Sequence, residues 1–354
     1  MQSLASEGAL PSFWLVVPTY NPGLHDWTQW FQALQAQNSQ PAQVVIVDSG
    51  STDGSLALTE QWLAKSRLQP SGQTSGSPPY TLLHIKANQF DHGGTRQWAL
   101  NQVLQSRPEA HPEVVVFMTQ DAVLAQPNAL GNLLAAFQNP KVAAAYGRQL
   151  PKSNATWQEH HARHFNYPAQ SRTVQLHDKA SLGLKVCFFS NAFGAYRLSA
   201  LLALGGLPAN LPLGEDTFTA AQLLLSGQSL QYQADALVYH SHQYNGTQDF
   251  QRMFDTGVFH AQNPWLVQSF GRAEGEGWRS VRSELAQLRL LSNANTSLTK
   301  PHPSAPSLIS GLLQMLFTMG VKYFGYKLGQ WHRLLPKRVK HRLSMYKSYW
   351  NQQA

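Results

Sequence analysis

The sequence contains almost no cysteine. Cys187 is the only one among 354 residues, so no intrachain disulfide can form, which suits a reducing compartment such as the cytosol. The apolar neighbours Val186 and Phe188 indicate a small core residue and argue against a nucleophile at this position. Residues 1–11 lack a basic stretch followed by an apolar run, and we therefore expect no signal peptide.

Acidic residues are also scarce, and none follows Glu284. The chain has 27 lysine and arginine residues against 19 aspartate and glutamate residues, a formal net charge of +8, although only 13% of its residues are charged. Such an excess favours an anionic partner: nucleic acid, a phosphorylated substrate or a membrane surface. The basic residues are concentrated after position 320 and no recognised nucleic-acid motif occurs, so we expect no nucleic-acid partner.

The C-terminal region joins an uncharged apolar stretch to a basic, aromatic one. Residues 307–321 carry no charge, but the run is shorter than the roughly 20 apolar residues that a membrane-spanning helix needs. Eight lysine and arginine residues follow, interspersed with aromatic residues that include Trp331, Tyr346, Tyr349 and Trp350. This pattern is typical of a segment at an anionic membrane interface. The alternative is a helical cover that packs on the rest of the protein.

Three apolar runs predict the parallel core of an α/β sheet. Residues 13–17, 44–47 and 114–118 are short and rich in β-branched residues, with helical patterns between them. The acidic residues Asp48 and Asp121 follow the second and third runs. Because ligands lie beyond the carboxyl ends of strands in open α/β sheets, these residues are expected at a nucleotide site. The alternative is that Asp121 only opens a turn or caps the next helix.

Two later predicted helices begin with residues that suit ligand binding or catalysis. Each of these residues also has a purely structural explanation. Arg96 follows Gly93 and Gly94 in the first turn of a predicted helix. The helix dipole disfavours a cation at this end of a helix. Arg96 is therefore expected either to bind an anion or to be a surface arginine. Glu215 and Asp216 open another predicted helix. There, a carboxylate either caps the helix or projects into a cleft as a general base.

Two histidines follow the predicted strand 232–239. His240 and His242 share a side if the strand continues, because alternate residues of a strand point the same way. A histidine here is either a hydrogen-bonded core residue or a second ligand for a metal at Asp121.

Three regions are predicted along the chain: an α/β domain at 1–245, a helical segment and linker at 246–306, and a C-terminal helical region at 307–354 that associates with the membrane. Within the second region, residues 250–267 are a predicted helix and 292–306 a Ser/Asn/Pro-rich linker. Residues 68–79 are predicted to be a surface connection.

Six motifs occur together in a fixed order. They are Pro-Thr-Tyr-Asn at 18–21, Val-Asp-Ser-Gly-Ser-Thr-Asp at 47–53, His-Gly-Gly-Thr-Arg at 92–96, Thr-Gln-Asp-Ala at 119–122, Gly-Glu-Asp-Thr at 214–217, and His240. On these residues, 12–245 resembles a family 2 glycosyltransferase, and the joint occurrence is more specific than any single motif. The resemblance implies an α/β GT-A fold, with a Rossmann-like mixed sheet flanked by helices and a C-terminal helical extension. Two of these motifs, with Arg-Leu-Ser-Met-Tyr-Lys-Ser-Tyr-Trp at 342–350, are similar to bacterial rhamnosyltransferases of O-antigen and other surface polysaccharide assembly.

The resemblance also implies roles for individual residues. Asp216 is the implied catalytic base, and Asp121 and His240 are the implied ligands of Mg²⁺ or Mn²⁺, with His242 as a substitute for His240. The implied donor-binding residues are Pro18, Thr19, Tyr20, Asn21, Asp48, Ser49, Gly50, Arg96, Gln120 and Asp121. The implied acceptor-side residues are Glu215, Asn191 and His242. Ser49 and Gln120 depart from the family, which often has acidic residues there, and a single metal carboxylate implies weaker binding.

The implied activity is an inverting, metal-dependent sugar transfer, with L-rhamnose from dTDP-rhamnose as the best match. The implied partners are this nucleotide-diphospho-sugar donor, a saccharide or polyprenyl-diphosphate-linked acceptor, and an anionic membrane surface at the cytoplasmic side of the cell membrane. The alternatives are transfer of another sugar, such as galactofuranose or an N-acetylhexosamine, and a non-catalytic scaffold that binds nucleotide sugars or membranes. The intact Asp121, Asp216 and His240 argue against the scaffold.

Overall fold

The computed structural model describes residues 9–67, 80–271, 276–294 and 307–352, and these form one mixed sheet flanked by helices. The strands are β1 (Phe13–Thr19), β2 (Gln43–Asp48), β3 (Tyr80–His84), β4 (Val114–Met118), β5 (Val123–Leu124), β6 (Val142–Leu150), β7 (Arg172–Val174), β8 (Phe193–Arg197) and β9 (Ser229–Tyr239). The helices are α1 (Leu24–Gln35), α2 (Ser55–Arg67), α3 (His92–Ser106), α4 (Ala129–Ala135), α5 (Trp157–Asn166), α6 (Lys179–Leu182), α7 (Leu198–Ala203), α8 (Glu215–Leu225), α9 (Gly246–Gln262), α10 (Pro264–Phe270), α11 (Glu276–Ala294), α12 (Leu308–Gln330), α13 (Lys337–Leu343) and α14 (Lys347–Gln352).

The sheet brings the ends of its parallel strands to one edge. The strand order is β3-β2-β1-β4-β8-β6-β9-β5, with β7 paired to β9. Strands β3, β2, β1 and β4 are parallel to one another, while β8 is antiparallel to both of its neighbours. Thr19 pairs with Asp48, and Asp48 with His84, so the residues that follow these strands are neighbours. The predicted parallel arrangement is therefore confirmed.

Both faces of the central strand β1 are buried. All seven of its residues are buried, which explains its largely apolar sequence. Trp14 and Val16 pack into the hydrophobic cluster on one face, and Leu15 and Val17 into the cluster on the other, because side chains alternate along a strand. Cys187 is buried in the first cluster, and burial raises the pKa of its thiol to about 12, as expected for a core residue.

Three predicted boundaries differ from the structure. The predicted helix 250–267 is two helices, α9 and α10, because the chain breaks at Asn263 before Pro264, which cannot donate to the preceding turn. The predicted linker 292–306 begins inside α11, which continues to Ala294, and its remainder lies outside the described residues. The predicted connection 68–79 also lies outside the described residues.

The apolar stretch at the start of the C-terminal region belongs to a longer helix than expected. Helix α12 has 23 residues, and among the described helices it is the one long and apolar enough to cross a membrane by length and composition. The expectation that the stretch is too short is therefore wrong, since the helix continues to Gln330. One such helix is weak evidence for a membrane span, because core helices of soluble proteins pass the same test.

The C-terminal region packs on the rest of the protein at two places. Helix α12 lies along α9, with Gly257, Gly325 and Gly329 at their closest approach. Beyond it, Tyr349 and Trp350 are buried with Phe254 and Val258 of α9. The assignment of Tyr349 and Trp350 to a membrane interface is therefore wrong. The division of the chain at residues 245 and 306 stays a prediction.

We predict opposite effects for two glycine substitutions in α12. A Cβ on Gly329 would overlap the backbone carbonyl of Phe254, and neither backbone can move without separating the helices, so Gly329→Ala should destabilise the protein by about 1–3 kcal/mol. A Cβ on Gly320 meets no atom within 4 Å, so Gly320→Ala should stabilise it by about 0.5–1 kcal/mol through helix propensity. Thermal unfolding midpoints should move in opposite directions, and a Gly329→Ala midpoint equal to or above that of the wild type would contradict the close α9–α12 contact.

Candidate active site

A cavity of about 490 Å³ lies beyond the carboxyl ends of β4 and β9. Its walls include Asp121 after β4, Asp216 in the first turn of α8, and His240 and His242 after β9. Arg96 of α3 also lines it. Residues that the sequence assigned to catalysis, metal binding and the donor therefore meet in one place, although they come from distant parts of the chain.

Three of these side chains converge. The Oδ2 atom of Asp121 lies 3.3 Å from Nε2 of His240 and 3.4 Å from Nδ1 of His242. One potential ligand atom of each residue lies within 4.8 Å of the other two. The predicted proximity of Asp121 and His240 is confirmed, and His242 joins them instead of replacing His240. Carboxylate and imidazole groups are both metal ligands, so this set fits a divalent cation.

The proton position on His240 supports that fit. Arg163 has only donors, so the atom of Gln149 that it contacts must be the amide oxygen Oε1. The same oxygen lies 2.8 Å from Nδ1 of His240, and Nδ1 therefore carries the proton and donates to it. In the neutral ring, Nε2 then presents a lone pair to Asp121, and two acceptors at 3.3 Å repel unless a proton or a cation lies between them. Metal-bound histidines have this arrangement of the distal N–H.

Asp121 and His242 both have pKa values shifted in the direction of their deprotonated forms. Burial by itself would raise the pKa of Asp121, but protonated forms of His240 and His242 would favour its carboxylate and hold this pKa well below its ordinary value. Burial, reinforced by His240, lowers the pKa of His242 to about 3, so its ring is neutral at pH 7. Because metal ligands must be deprotonated, Asp121 and His242 are both in the binding form near neutral pH.

On another wall, Glu215 is the partner of Arg96. Glu215 is buried, lies 3.4 Å from the Arg96 guanidinium and accepts a hydrogen bond from Nδ2 of Asn191 at 3.1 Å. Burial opposes ionisation of Glu215, but Arg96 and His92 bring its pKa below the ordinary value. Arg96 also donates to the carbonyl of His92 at 2.6 Å and is buried, so the alternative of a surface arginine is wrong.

The adjacent Asp216 has a different environment. Its carboxylate accepts the backbone N–H of Thr217 at 2.7 Å and that of Asn191 at 3.3 Å. Burial, followed by repulsion from Glu215, raises the pKa of Asp216 to about 7. A carboxylate that titrates near the working pH suits a general base. Of these two neighbouring carboxylates, Glu215 is thus ionised and paired with Arg96, whereas Asp216 is suited to accept a proton.

The loops after β1 and β2 are bonded to each other, and the described residues that line the cavity do not come from these two loops. Asn21, with a positive φ of 44°, accepts from the backbone N–H of Thr52 at 2.7 Å, and its own N–H donates to Ser51 at 2.9 Å. Asp48 accepts from the N–H of Gly50 at 2.9 Å. Polar side chains that the sequence assigned to the donor therefore also shape these loops. This edge of the sheet holds Pro18, Thr19, Tyr20, Asn21, Asp48, Ser49 and Gly50.

Gln120 joins the loop after β1 to the end of β4. Its Oε1 accepts from the N–H of Tyr20 at 2.6 Å, and its Nε2 donates to the carbonyl of the same residue at 2.9 Å. An ionised carboxylate at this position would lose the second bond, since it cannot donate. The departure of Gln120 from the family pattern therefore has a structural reason.

Sequence reasoning missed three residues in the cavity wall. Arg252 of α9, Tyr244 before α9 and Tyr346 between α13 and α14 all line it. Arg252 lies in an amphipathic helix without a recognisable motif, and Tyr346 was assigned to a membrane interface. The available signal for Tyr346 is its position within the motif at 342–350.

Comparison with a solved structure supports the fold. The model is similar to the mannosyltransferase PcManGT from Pyrobaculum calidifontis in complex with GDP-Man and Mn²⁺, with a TM-score of 0.59 and 18% identity over 92% of this chain and 88% of that chain. At this identity the similarity shows the fold alone. The expected GT-A fold, with its mixed sheet, flanking helices and C-terminal helical extension, is confirmed.

Sequence comparisons show the family. The chain is 42% identical over 342 residues to the O-antigen chain rhamnosyltransferase WbaN of Salmonella anatum, covering 97% of this chain and 96% of the relative. It is 38% identical over 337 residues to the O-antigen chain rhamnosyltransferase RfbN of Salmonella typhimurium, covering 95% of each. The model of glycosyl transferase family 2 matches residues 14–205. The chain therefore belongs to glycosyl transferase family 2.

Proposed function

We propose that this protein is an inverting, metal-dependent enzyme that moves L-rhamnose from dTDP-rhamnose to a saccharide or polyprenyl-diphosphate-linked saccharide in cell-surface polysaccharide synthesis. One observation carries the proposal: a triad suited to a divalent cation and a carboxylate of raised pKa line the same cavity. The names of the two Salmonella relatives support rhamnose as the sugar and an O-antigen chain as the product.

Asp216 is proposed to accept the proton of the attacking acceptor hydroxyl. The N–H groups of Thr217 and Asn191 orient its carboxylate, and its raised pKa makes it an effective acceptor near neutrality. One base is sufficient for direct displacement, which inverts the configuration at the sugar carbon. We place the acceptor on the side of the cavity lined by Asp216, Glu215, Asn191 and His242.

Asp121, His240 and His242 are proposed to hold Mg²⁺ or Mn²⁺. When bound, a divalent cation neutralises charge on the diphosphate that leaves with the nucleotide. Gln149 fixes the ring of His240 for this role. The proposed donor-binding residues are those at the ends of β1 and β2, together with Arg96, Gln120 and Asp121.

We predict a pH dependence that depends on Asp216. Below about pH 7 its carboxyl is protonated and cannot accept a proton, so kcat should fall about tenfold per pH unit on the acid side and level off above pH 8. Asp216→Asn should reduce kcat by roughly 100- to 10,000-fold and remove this acid limb. Rates at saturating donor, measured from pH 5 to 9, check both effects.

The matched control for Asp216 is Asp235→Asn, which changes an exposed aspartate in β9 and should retain wild-type rates. Donor affinity of Asp216→Asn, measured by calorimetry, should stay within a few-fold of wild type, because the carboxylate acts in the transition state. Normal turnover by Asp216→Asn would remove the assignment.

A second prediction tests the donor and the metal together. Among dTDP-rhamnose, UDP-galactofuranose, UDP-N-acetylglucosamine and GDP-mannose, the purified protein should use dTDP-rhamnose, lose activity on chelation and regain it with Mg²⁺ or Mn²⁺. Asp121→Asn should require roughly 10- to 100-fold more metal for half-maximal activity, because a neutral amide replaces the carboxylate ligand.

The control for this experiment is His164→Gln, which changes an exposed histidine of α5 outside the cavity. Turnover of another sugar nucleotide alone would change the donor assignment. Activity that survives exhaustive chelation would exclude the metal, and failure with every sugar nucleotide would favour the scaffold.

The outer face of α12 supports a peripheral position on the cytoplasmic side of the cell membrane. Ile309, Leu313, Phe317 and Phe324 are 73%, 64%, 64% and 66% exposed, although they are large and apolar. Exposed basic residues follow in and around α13. Apolar burial together with attraction of about 1 kcal/mol for each basic residue near anionic lipid would hold the protein reversibly.

We predict that Leu313→Gln/Phe324→Gln weakens binding to anionic liposomes, because it removes apolar surface without touching the buried Tyr349 and Trp350. Flotation should show less bound protein for this variant and at high salt. The matched control, Leu202→Gln/Leu225→Gln, changes two exposed leucines elsewhere and should bind like wild type. Equal flotation of both variants, or binding that ignores lipid charge and salt, would show that α12 is only a helical cover.

A further inference from the structure

A second cavity lies next to the proposed active site. Its volume is about 410 Å³, and small-molecule sites have volumes of roughly 300–1,000 Å³. Its walls come from β6, β7, β9, the end of α5 and the short 3₁₀ helix Gly183–Cys187. Phe188 lines both cavities, and the ring of Tyr167 in the first contacts that of Tyr146 in the second, with centres 6.5 Å apart. The two cavities are therefore neighbours, separated by aromatic side chains.

Aromatic rings form much of the wall of the second cavity. Tyr146 and Tyr232 have ring centres 5.1 Å apart with planes inclined by 35°, and Phe188 meets Tyr146 edge-on with centres 5.8 Å apart. Phe165 also lines the cavity, and Nζ of Lys185 lies 4.9 Å from the centre of its ring. Aromatic rings offer large, rigid apolar faces, and tyrosine adds a polar group at one end. Such a wall suits a ligand with an apolar C–H face and hydroxyl groups at its edge, as a sugar ring has.

The hydroxyl of Tyr146 is available to such a ligand. Tyr146 is 9% exposed, and it borders the second cavity. Among the described residues its hydroxyl has no hydrogen-bond partner, whereas the hydroxyl of Tyr232 donates to the carbonyl of Pro168 at 2.7 Å. Burial raises the pKa of Tyr146 well above its ordinary value, so the hydroxyl keeps its proton and is able to donate. A nearly buried hydroxyl without a partner costs free energy, which a hydrogen bond to a ligand would recover.

The charges of the wall narrow the class of ligand. Among the described residues that line the second cavity, none is acidic, so the cavity lacks the carboxylates that bind a hard cation. Gln170 and Arg172 are exposed at its rim and offer donors to hydroxyl oxygens. Apolar rings inside and hydrogen-bond donors at the opening favour an uncharged ligand rich in hydroxyl groups over a metal ion.

The chain itself connects the two cavities. Residues 188–192 run from Phe188, which lines both cavities, to Asn191 and Ala192, which line the first. The backbone N–H of Asn191 donates to the carboxylate of Asp216, the proposed base, at 3.3 Å. A saccharide whose reacting hydroxyl meets Asp216, and whose chain continues along this segment, therefore enters the second cavity at Phe188.

We propose that the second cavity binds an inner sugar of the acceptor chain, behind the sugar that receives the new residue. The inference rests on the proposed function, in which the acceptor is a saccharide. The hydroxyl of Tyr146 donates to a hydroxyl oxygen of the inner sugar, and the rings of Tyr232 and Phe188 pack on its C–H face. The enzyme thereby distinguishes a chain that already carries the preceding sugars from a single sugar, because only the longer acceptor reaches both cavities.

Acceptors of different length test the proposal. The probes are p-nitrophenyl glycosides of rhamnose, mannose, galactose and glucose, together with disaccharides and trisaccharides that end in each of these sugars. Tyr146→Phe should raise the KM of the longer acceptors by roughly 3- to 10-fold, because one hydrogen bond is lost, while the KM of the single sugars and of the nucleotide sugar stays within about twofold. Gln170→Ala, at the exposed rim, should give a smaller effect with the same pattern.

The matched control is Tyr80→Phe, which should behave like the wild type. Tyr80 lies in β3, outside both cavities, and it is as buried as Tyr146. Its hydroxyl also has no hydrogen-bond partner among the described residues, so the substitution makes the same chemical change elsewhere.

Binding without turnover separates this subsite from the reaction. Saturation-transfer NMR with the trisaccharides should show protein contact to an inner sugar in the wild type, and Tyr146→Phe should weaken this contact but not that of the terminal sugar. The measurement needs no nucleotide sugar, so it decides the subsite even if the proposed donor is wrong. Equal KM changes for single sugars and longer acceptors, or no contact to an inner sugar in the wild type, would overturn the proposal. Displacement of the inner sugar by inorganic phosphate would assign the cavity to an anion and overturn it as well.

Discussion

A single amide oxygen, Oε1 of Gln149, orients the histidine at the centre of the Asp-His-His triad. It accepts from both Arg163 and His240, which leaves Nε2 of His240 directed at Asp121. The sheet makes this possible because Gln149 of β6 is paired with Val238 of β9, next to the histidines. Strand β6 thus contributes to the core and also supplies the amide that orients His240 in the Asp-His-His triad.

The second constraint is the contrast between Glu215 and Asp216. Both residues lie in the first turn of α8, but the ion pair of Arg96 is with Glu215. The negative charge of Glu215 then contributes to the raised pKa of Asp216. Arg96 therefore also affects the pKa of Asp216 indirectly, through its ion pair with Glu215. This arrangement resembles other sites in which two acidic groups are driven to different protonation states.

Much of the fold and part of the site followed from local patterns. The three parallel strands were predictable because both faces of each are buried, which produces continuous apolar runs. Asp121, Asp216 and His240 were predictable because strand ends and a helix start place them at one edge. Tyr346 and Trp350 were misassigned, because a basic and aromatic sequence is equally compatible with a membrane interface and with packing on α9. Arg252 carried no local signal, since it lies in an amphipathic helix without a motif and lines the cavity only because of the tertiary structure.

The contact between His92 and Tyr346 also has a consequence for folding. It joins the start of α3 to the last part of the described chain, and contacts so distant in sequence form slowly because long loops must close first. The sheet, built mainly from nearer segments, is able to form before the C-terminal turn docks on Asp255, whose carboxylate accepts the backbone N–H groups of Met345 and Tyr346. The cavity wall that contains Tyr346 is therefore completed only when the last described segment is seated.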